Sequence, residues 1–389
     1  MPSFDVGIVG GGPVGLATAI AARSHGLSVL VCERRTPPLD KACGEGLMPA
    51  GVAALERLGV AIPERARPFR GISYRSGDVA AEADFPDGAR GLGVRRTALH
   101  GALADRARAL GVELRFGCAA EAAPGGALRT AEGEHPCRFL VGADGLRSAV
   151  RRAAPFHFPS PAPRADDRFG VVRHYALAPW SERVEVWFGD GAEAYVTPLA
   201  ADEIGVAILW SPRARGERSS RDAEGAGFDA LLSGALPSAL QARLPPATAL
   251  GRDRGAGPFR QPRGRVASGC TALVGDAAGY VDALTGEGLS LGFECAERLG
   301  EALRRDDLDG YSRAARRLFR LPDRLTRLTL FAALRPRLRH RLVVQLGANP
   351  ALFTALLGLL GSRRPWSRFG LRNAFAAAHL LGRLSLALG

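Results

Sequence analysis

Apolar residues change period several times along the chain. Phe4 to Val9 is a short apolar run with the look of a buried strand. Pro13 to His25 is alanine-rich at helical spacing, and Ser28 to Cys32 is a second apolar run that stops at Glu33. Val94 to Leu99 opens a helix to about Leu110. Phe139 to Gly142 and Thr271 to Val274 read as further strands, and Leu289 to Leu303 as a helix. Strands alternating with helices predict an α/β layer. Between these segments the period switches to two. Phe169 to Ala176 reads as one strand, and Val184, Val186 and Phe188 alternate with Glu185 and Trp187. Gly189-Asp190-Gly191 turns, Glu193 to Thr197 returns to Pro198, and Ile204 to Trp210 closes the set. Residues 165–210 therefore predict an antiparallel meander. Ser211 to Gly227 is polar and arginine-rich, which predicts a loop.

From Tyr311 the pattern is helical. Leu342 to Ser362 carries no charge and lies between Arg341 and Arg363. Its length satisfies a membrane span, but Asn349-Pro350 divides it into two arms, each too short to cross a bilayer. Two short apolar helices are expected, packed over a cavity or dipped into a membrane surface.

Charge sharpens that picture. The chain has 389 residues and a formal net charge of +13. Eleven arginines and no acidic residue follow Asp323, which leaves residues 1–323 at +2. The basicity is a property of the tail, so it argues for a surface partner and against a nucleic-acid groove. One reading of the tail is a helical lid with a solvated basic face; the other is contact with an acidic carrier protein or a membrane surface, on a monomer or dimer. The six cysteines (32, 43, 118, 137, 270 and 295) are scattered, without metal-ligand spacing. They predict reduced thiols and no metal. The first residues run straight into strand, turn and helix with no basic stretch before the apolar run, which predicts a cytoplasmic protein, peripheral to the membrane at most.

The turn after the first strand carries the first chemistry. Gly10, Gly12 and Gly15 stand at G-x-G-x-x-G spacing, with Pro13 and Val14 opening the helix. Gly10 permits the tight turn, Gly12 lets the backbone approach a pyrophosphate, and Gly15 lets helix and strand pack closely. The helix N-terminus meets the phosphate charge, and Glu33, followed by Arg34, suits an unphosphorylated adenosine ribose. Far downstream, Gly275-Asp276-Ala277-Ala278-Gly279 follows a strand, and Gly286-Glu287-Gly288-Leu289 opens a helix. Ala143-Asp144-Gly145 follows another strand, Arg96 opens the helix to Leu110, and Lys41-Ala42-Cys43-Gly44-Glu45-Gly46 is a glycine-rich loop.

Taken together, these motifs resemble the flavoprotein superfamily of FAD-dependent monooxygenases, geranylgeranyl reductases and flavin halogenases, over roughly residues 1–300. The resemblance implies a p-hydroxybenzoate-hydroxylase-like α/β fold: a Rossmann-like FAD-binding domain interleaved with an antiparallel-sheet substrate domain, plus a C-terminal helical segment. The FAD-binding part would comprise residues 1–70, 94–160 and 265–305, the substrate part 71–93 and 161–264, and the basic helical region 306–389. In the family, Asp276 would bond the ribityl chain, Arg96 would lie by the flavin, and Asp144 would stand near the pyrophosphate and the transient nicotinamide. Gly275, Gly286, Gly288 and Leu289 would frame the ring, and a helix dipole at the N1–C2=O edge would stabilise the reduced anion. Cys43 and Gly44 would skirt the ring, and Cys43 is the one candidate for a catalytic side chain. Ala283 stands where the hydroxylases carry proline, so this side of the ring is expected to be less rigid.

The sheet would form the substrate floor, with His174, Trp187, Tyr195 and Pro198 as candidate lining residues; ordinary sheet packing is the alternative for each. The implied reaction is hydroxylation of a hydrophobic aromatic or polyketide-type molecule, with NADPH or NADH reducing FAD and oxygen adding at C4a. Two alternatives stay open. One is reduction of isoprenoid double bonds, although that family's tyrosine-x-tryptophan strand motif is absent. The other is a flavoprotein that binds a membrane or carrier protein without turnover. The halogenase Trp-x-Trp-x-Ile-Pro motif is missing, and no catalytic lysine aligns with that family's.

Overall fold

The run Phe4–Val9 is a central strand in the computed structural model, which describes residues 3–153, 155–158, 161, 162, 164, 166–212, 227–362, 369, 370 and 373. It pairs in parallel with Val29–Glu33 on one side and Cys137–Gly142 on the other. Thr271–Leu273 and Glu113–Phe116 extend the sheet in parallel, and Ala267–Ser268 adds a short antiparallel edge. Val29–Glu33 is buried along its whole length, which explains why these strands read as unbroken apolar runs: helices cover both faces of a parallel sheet. The helix Pro13–Ser24 packs against Gly288–Arg305 and Arg96–Ala109. Their contact needs small residues, since a Cβ on Gly292 would stand 2.5 Å from Val14 and one on Gly300 2.8 Å from Ala21.

The second sheet has seven strands, in the order Ala249–Ala256, Phe169–Tyr175, Glu203–Trp210, Ala192–Ala200, Val184–Phe188, Gly71–Ser76, Val79–Asp84. The expected sequential meander holds for Val184–Phe188, Ala192–Ala200 and Glu203–Trp210 and is corrected at Phe169–Tyr175. Phe169–Tyr175 pairs with Glu203–Trp210 and with Ala249–Ala256, while Val184–Phe188 pairs in parallel with Gly71–Ser76. The period-2 pattern fixes which face each residue takes and says nothing of partner order. Ala249–Ala256 is exposed over nearly its whole length, so it offered no alternation to read.

One face of this sheet buries Trp187, Val196, Val206 and Trp210 against the helix Phe228–Ala235. The other face turns Val184, Val186 and Phe188 toward the C-terminal helices, where they pack with Val343, Leu346, Phe353 and Leu357. The tail is three helices, Leu308–Ala333, Pro336–Ala348 and Pro350–Leu360, and the last two meet at a bend of 106°. Asn349 and Pro350 make that break, as the missing proline N–H requires. No single helix among the described residues is long and apolar enough to cross a membrane, although the bent pair together meets that length and composition. Most of the polar stretch 211–227, and Arg363, Arg364, Arg368, Arg372 and Arg383, lie outside the described residues.

Candidate FAD site

The glycine turn is tightly built. Gly10 takes a φ of +107°, and a Cβ there would meet the Ala143 carbonyl oxygen at 2.5 Å. At Gly15 a Cβ would collide with the Gly10 carbonyl oxygen. Gly12, by contrast, faces open space, with nothing within 4 Å of a built Cβ. It also stands at the N-cap of Pro13–Ser24, where no side chain caps the free N–H groups. Glu33 Oε2 accepts the Gly11 N–H at 3.0 Å, and Oε1 accepts the Arg35 N–H at 3.0 Å. His100, which belongs to none of the motifs, is buried against this turn, with Nε2 3.0 Å from the Gly11 carbonyl oxygen. Burial lowers its pKa, so the ring is held neutral beside the turn. Arg34 is exposed.

Motifs far apart in sequence converge next to this turn. Lys41 Nζ lies 3.5 Å from Asp276 Oδ2, and a Cβ on Gly145 would stand 3.5 Å from the same Nζ. The glycine loop, the Asp144-Gly145 turn and the Gly275-Asp276 turn thus meet around one lysine. Asp144 Oδ2 accepts the Ala149 and Val150 N–H groups at 2.6 and 3.3 Å, which makes it a local cap, while its Oδ1 is buried without a partner. Gly275 has a φ of +63° and abuts Val14. Gly286, at a φ of +66°, leads into Glu287, Gly288 and Leu289, where the helix Gly288–Arg305 starts with no side-chain cap.

Glu45, which the sequence shows only as one member of the glycine-rich loop, ties the site together. It holds a φ of +55°, uncommon for a residue with a Cβ. Its Oε1 accepts the Arg96 N–H at 2.6 Å, and its Oε2 lies 2.6 Å from Nε2 of buried His174. Glu45 O accepts the Val94 N–H, and Thr197 Oγ1 donates to the Gly44 carbonyl oxygen at 2.8 Å. His174 and Thr197 therefore look toward the glycine loop. Arg96 Nε is buried without a partner, and Arg95 pairs with Glu203 at 3.1 Å. Cys43 is half-buried, with Sγ 3.4 Å from the Glu45 N–H.

The turn before the flavin helix is braced from the sheet. Tyr195 Oη donates to the Leu284 carbonyl oxygen at 2.9 Å, and Asp282 Oδ1 accepts the Leu284 N–H at 2.9 Å. Arg168 lies between Asp282 and Glu193, paired to the first at 3.0 Å and hydrogen-bonded to the second. Burial pushes the Glu193 and Asp282 carboxyls up from their ordinary values. Burial opposes the charge on Arg168 too, but Asp282 and Glu193 more than offset it and keep the guanidinium protonated. Hydrogen bonds and a buried ion pair thus surround Ala283, where the hydroxylases carry proline. The expectation for Trp187 is corrected. Its register partner is Ala194, whereas Tyr195 pairs with Val186. Trp187 therefore stands on the face opposite Tyr195, donating to Glu185 Oε2 at 2.9 Å. Pro198, one residue past Thr197, also falls on that far face by alternation, with its carbonyl against Gly93.

These residues fit FAD. The open space at Gly12 and Gly44, the two uncapped helix N-termini, and the orphaned Arg96 Nε and Asp144 Oδ1 are what a pyrophosphate, ribityl chain and ring would complete. Residues 3–310 match the family model described as FAD binding domain. The chain belongs to this family.

The flavoprotein is 31% identical over 335 residues to the menaquinone reductase of Mycobacterium tuberculosis, covering 79% of this chain and 78% of that one. It is 29% identical over 324 residues to a dehydrotetracycline and anhydrotetracycline monooxygenase of Streptomyces rimosus, covering 76% and 62%. A flavoprotein/dehydrogenase structure from Cytophaga hutchinsonii superposes with a TM-score of 0.78 over 98% of both chains, at 17% identity. The chain is an FAD-dependent oxidoreductase of the superfamily that contains the flavin monooxygenases.

Proposed function

We propose that this flavoprotein is an NAD(P)H-dependent monooxygenase that hydroxylates a hydrophobic aromatic, polyketide-type molecule in the cytoplasm. The observation that carries the reading is the aromatic cluster between the tail and the sheet face that also bears His174 and Thr197. Tyr74, Phe188 and Tyr195 stand on that face, and Phe353 stacks on Tyr74 at 5.0 Å between centroids. Side chains of this kind pair well with a flat aromatic ring that reaches the rim of the cluster. The Streptomyces rimosus relative, named for tetracycline substrates, supports the substrate class.

FAD, once bound, accepts hydride from a reduced nicotinamide and activates oxygen. The chain's own task is to hold it, exclude water and handle protons. The N-termini of Pro13–Ser24 and Gly288–Arg305 supply donors and positive dipole ends. Arg168 and Tyr195 brace the Asp282–Leu284 turn from the sheet, and this turn would border the ring of bound FAD. The buried pair of Glu45 and His174 can keep a proton out of bulk water between the glycine loop and the sheet.

A second reading, reduction of an isoprenoid double bond, is favoured by the Cys43-Gly44 loop, and the Mycobacterium tuberculosis relative, named a menaquinone reductase, supports a reductase. Oxygen uptake coupled to NADH or NADPH oxidation, with one oxygen atom found in an aromatic product, supports hydroxylation. Anaerobic saturation of a prenyl chain would replace it with the second reading. A flavin reduced by neither nicotinamide would sink both and leave a binding flavoprotein.

A further inference from the structure

The helix Leu308–Ala333 has two faces with different work. Its inner face is fixed. Tyr311 Oη donates to the Leu273 carbonyl oxygen at 2.7 Å, and Thr326 Oγ1 lies 3.1 Å from Thr285 Oγ1, in the turn that leads to the flavin helix. Asp323 pairs with Arg263 at 2.6 Å, and the Arg263 guanidinium sits 3.6 Å from the Phe319 ring centroid. The outer face carries Arg313, Arg317, Arg320, Arg324, Arg327, Leu328 and Phe331. At 100° per residue these fall within an arc of about 100°, one stripe about 27 Å long from Arg313 to Phe331.

All five arginines of the stripe are exposed. Arg313 pairs loosely with Asp307 at 3.7 Å. Among the described residues, Arg317, Arg320, Arg324 and Arg327 have no acidic partner. Leu328 and Phe331 are 50% and 40% exposed, and they are two of four large apolar side chains so exposed among the described residues. Arg335 lies over the Phe331 ring at 3.6 Å, which continues the basic stripe past the helix end.

We infer that this stripe is a docking surface for an acidic lipid bilayer. Straight rows of unpaired arginine complement a sheet of anionic headgroups, and each adds roughly five-fold to partitioning there. Leu328 and Phe331 at one end of the row supply what a headgroup–acyl boundary rewards and a phosphate backbone does not. The length of the row suits a plane better than the small footprint of a carrier protein. Docking would set the tail, which packs over the aromatic cluster, against the membrane from which a greasy substrate would come. The inference does not depend on which reaction the flavin performs.

The test is co-sedimentation of the full FAD-loaded chain with phosphatidylcholine vesicles, with and without phosphatidylglycerol. Binding is expected only with phosphatidylglycerol and should fall as salt rises. R320E with R324E should weaken it by roughly ten-fold or more. L328S with F331S should weaken it at unchanged charge. Both pairs of changes lie on the solvent face, so flavin absorbance and melting temperature should stay at the parent values. Equal binding to both vesicle types, no binding, no response to either pair, or tighter capture by an acidic carrier protein than by vesicles would each overturn the inference.

Discussion

Replacing Arg168 by methionine removes the guanidinium that lies between Glu193 and Asp282. All three side chains are at most 5% exposed. Taking one partner from a buried ion pair leaves charge uncompensated and costs about 3–5 kcal/mol. For a chain of this length the unfolding entropy is about 0.8 kcal/mol per degree, so the melting temperature should fall by about 4–6 °C. The loss should depend on pH. Burial already raises both carboxyls above their ordinary 4.5 and 3.8. A carboxyl raised in the folded state favours folding in acid, and that contribution is lost as pH rises through the raised value. Without Arg168 both would rise further, so the variant should be penalised more at about pH 8 than at about pH 5. Melting followed at both pH values, with and without FAD, measures this. Adding Glu193→Gln and Asp282→Asn should recover most of the loss, since no buried charge then stands alone. A loss below about 1 kcal/mol, or one equal at both pH values, would refute the picture of a buried charge brace behind the flavin turn.

Gly12→Ala should leave the apoprotein's melting temperature within about 1 °C, because a Cβ there meets nothing within 4 Å, yet it should weaken FAD by roughly a hundred-fold by occupying the pyrophosphate's approach; equilibrium dialysis of the flavin decides. Asp276→Ala should lose FAD, and a variant that keeps full flavin absorbance would displace the ribityl site from this turn. Glu45→Ala strands the Arg96 N–H and buried His174, at a cost of about 2–4 kcal/mol in urea unfolding, while Glu45→Gln should recover at least half of it.

The parts of the fold visible in the sequence were those set by local rules. Phe4–Val9, Pro13–Ser24 and Val29–Glu33 announce themselves because a strand buried on both faces must be apolar throughout and a phosphate turn must be glycine-rich. The seven-stranded sheet was only half legible. Alternation puts Tyr195 and Trp187 on opposite faces but does not say which face lies toward the glycine loop. The edge strand Ala249–Ala256, exposed and carrying Arg252, Asp253 and Arg254, has no apolar face to betray it. Glu45, Arg168 and Asp282 were opaque for another reason. Their partners lie 129, 25 and 114 positions away, and a lone charged residue looks the same in a sequence whether it is solvated or buried.

The glycine loop is where these scales meet. Lys41 reaches Asp276, Gly44 accepts from Thr197, and Glu45 joins the Arg96 helix to His174. Gly46–Leu47 then pairs with Gly91–Gly93. A loop so pinned at consecutive positions cannot swing freely, so Cys43 is held at a fixed place beside the cofactor turn. Its role is therefore decided by that position and by what is bound opposite it. A Cys43→Ala enzyme tested for both oxygen-coupled and anaerobic turnover should lose the second and keep the first if the loop serves double-bond reduction. If hydroxylation is the native reaction, the same variant should hydroxylate at a rate within about three-fold of the parent, since the cofactor carries that chemistry and the backbone hydrogen bonds that fix the loop survive the change.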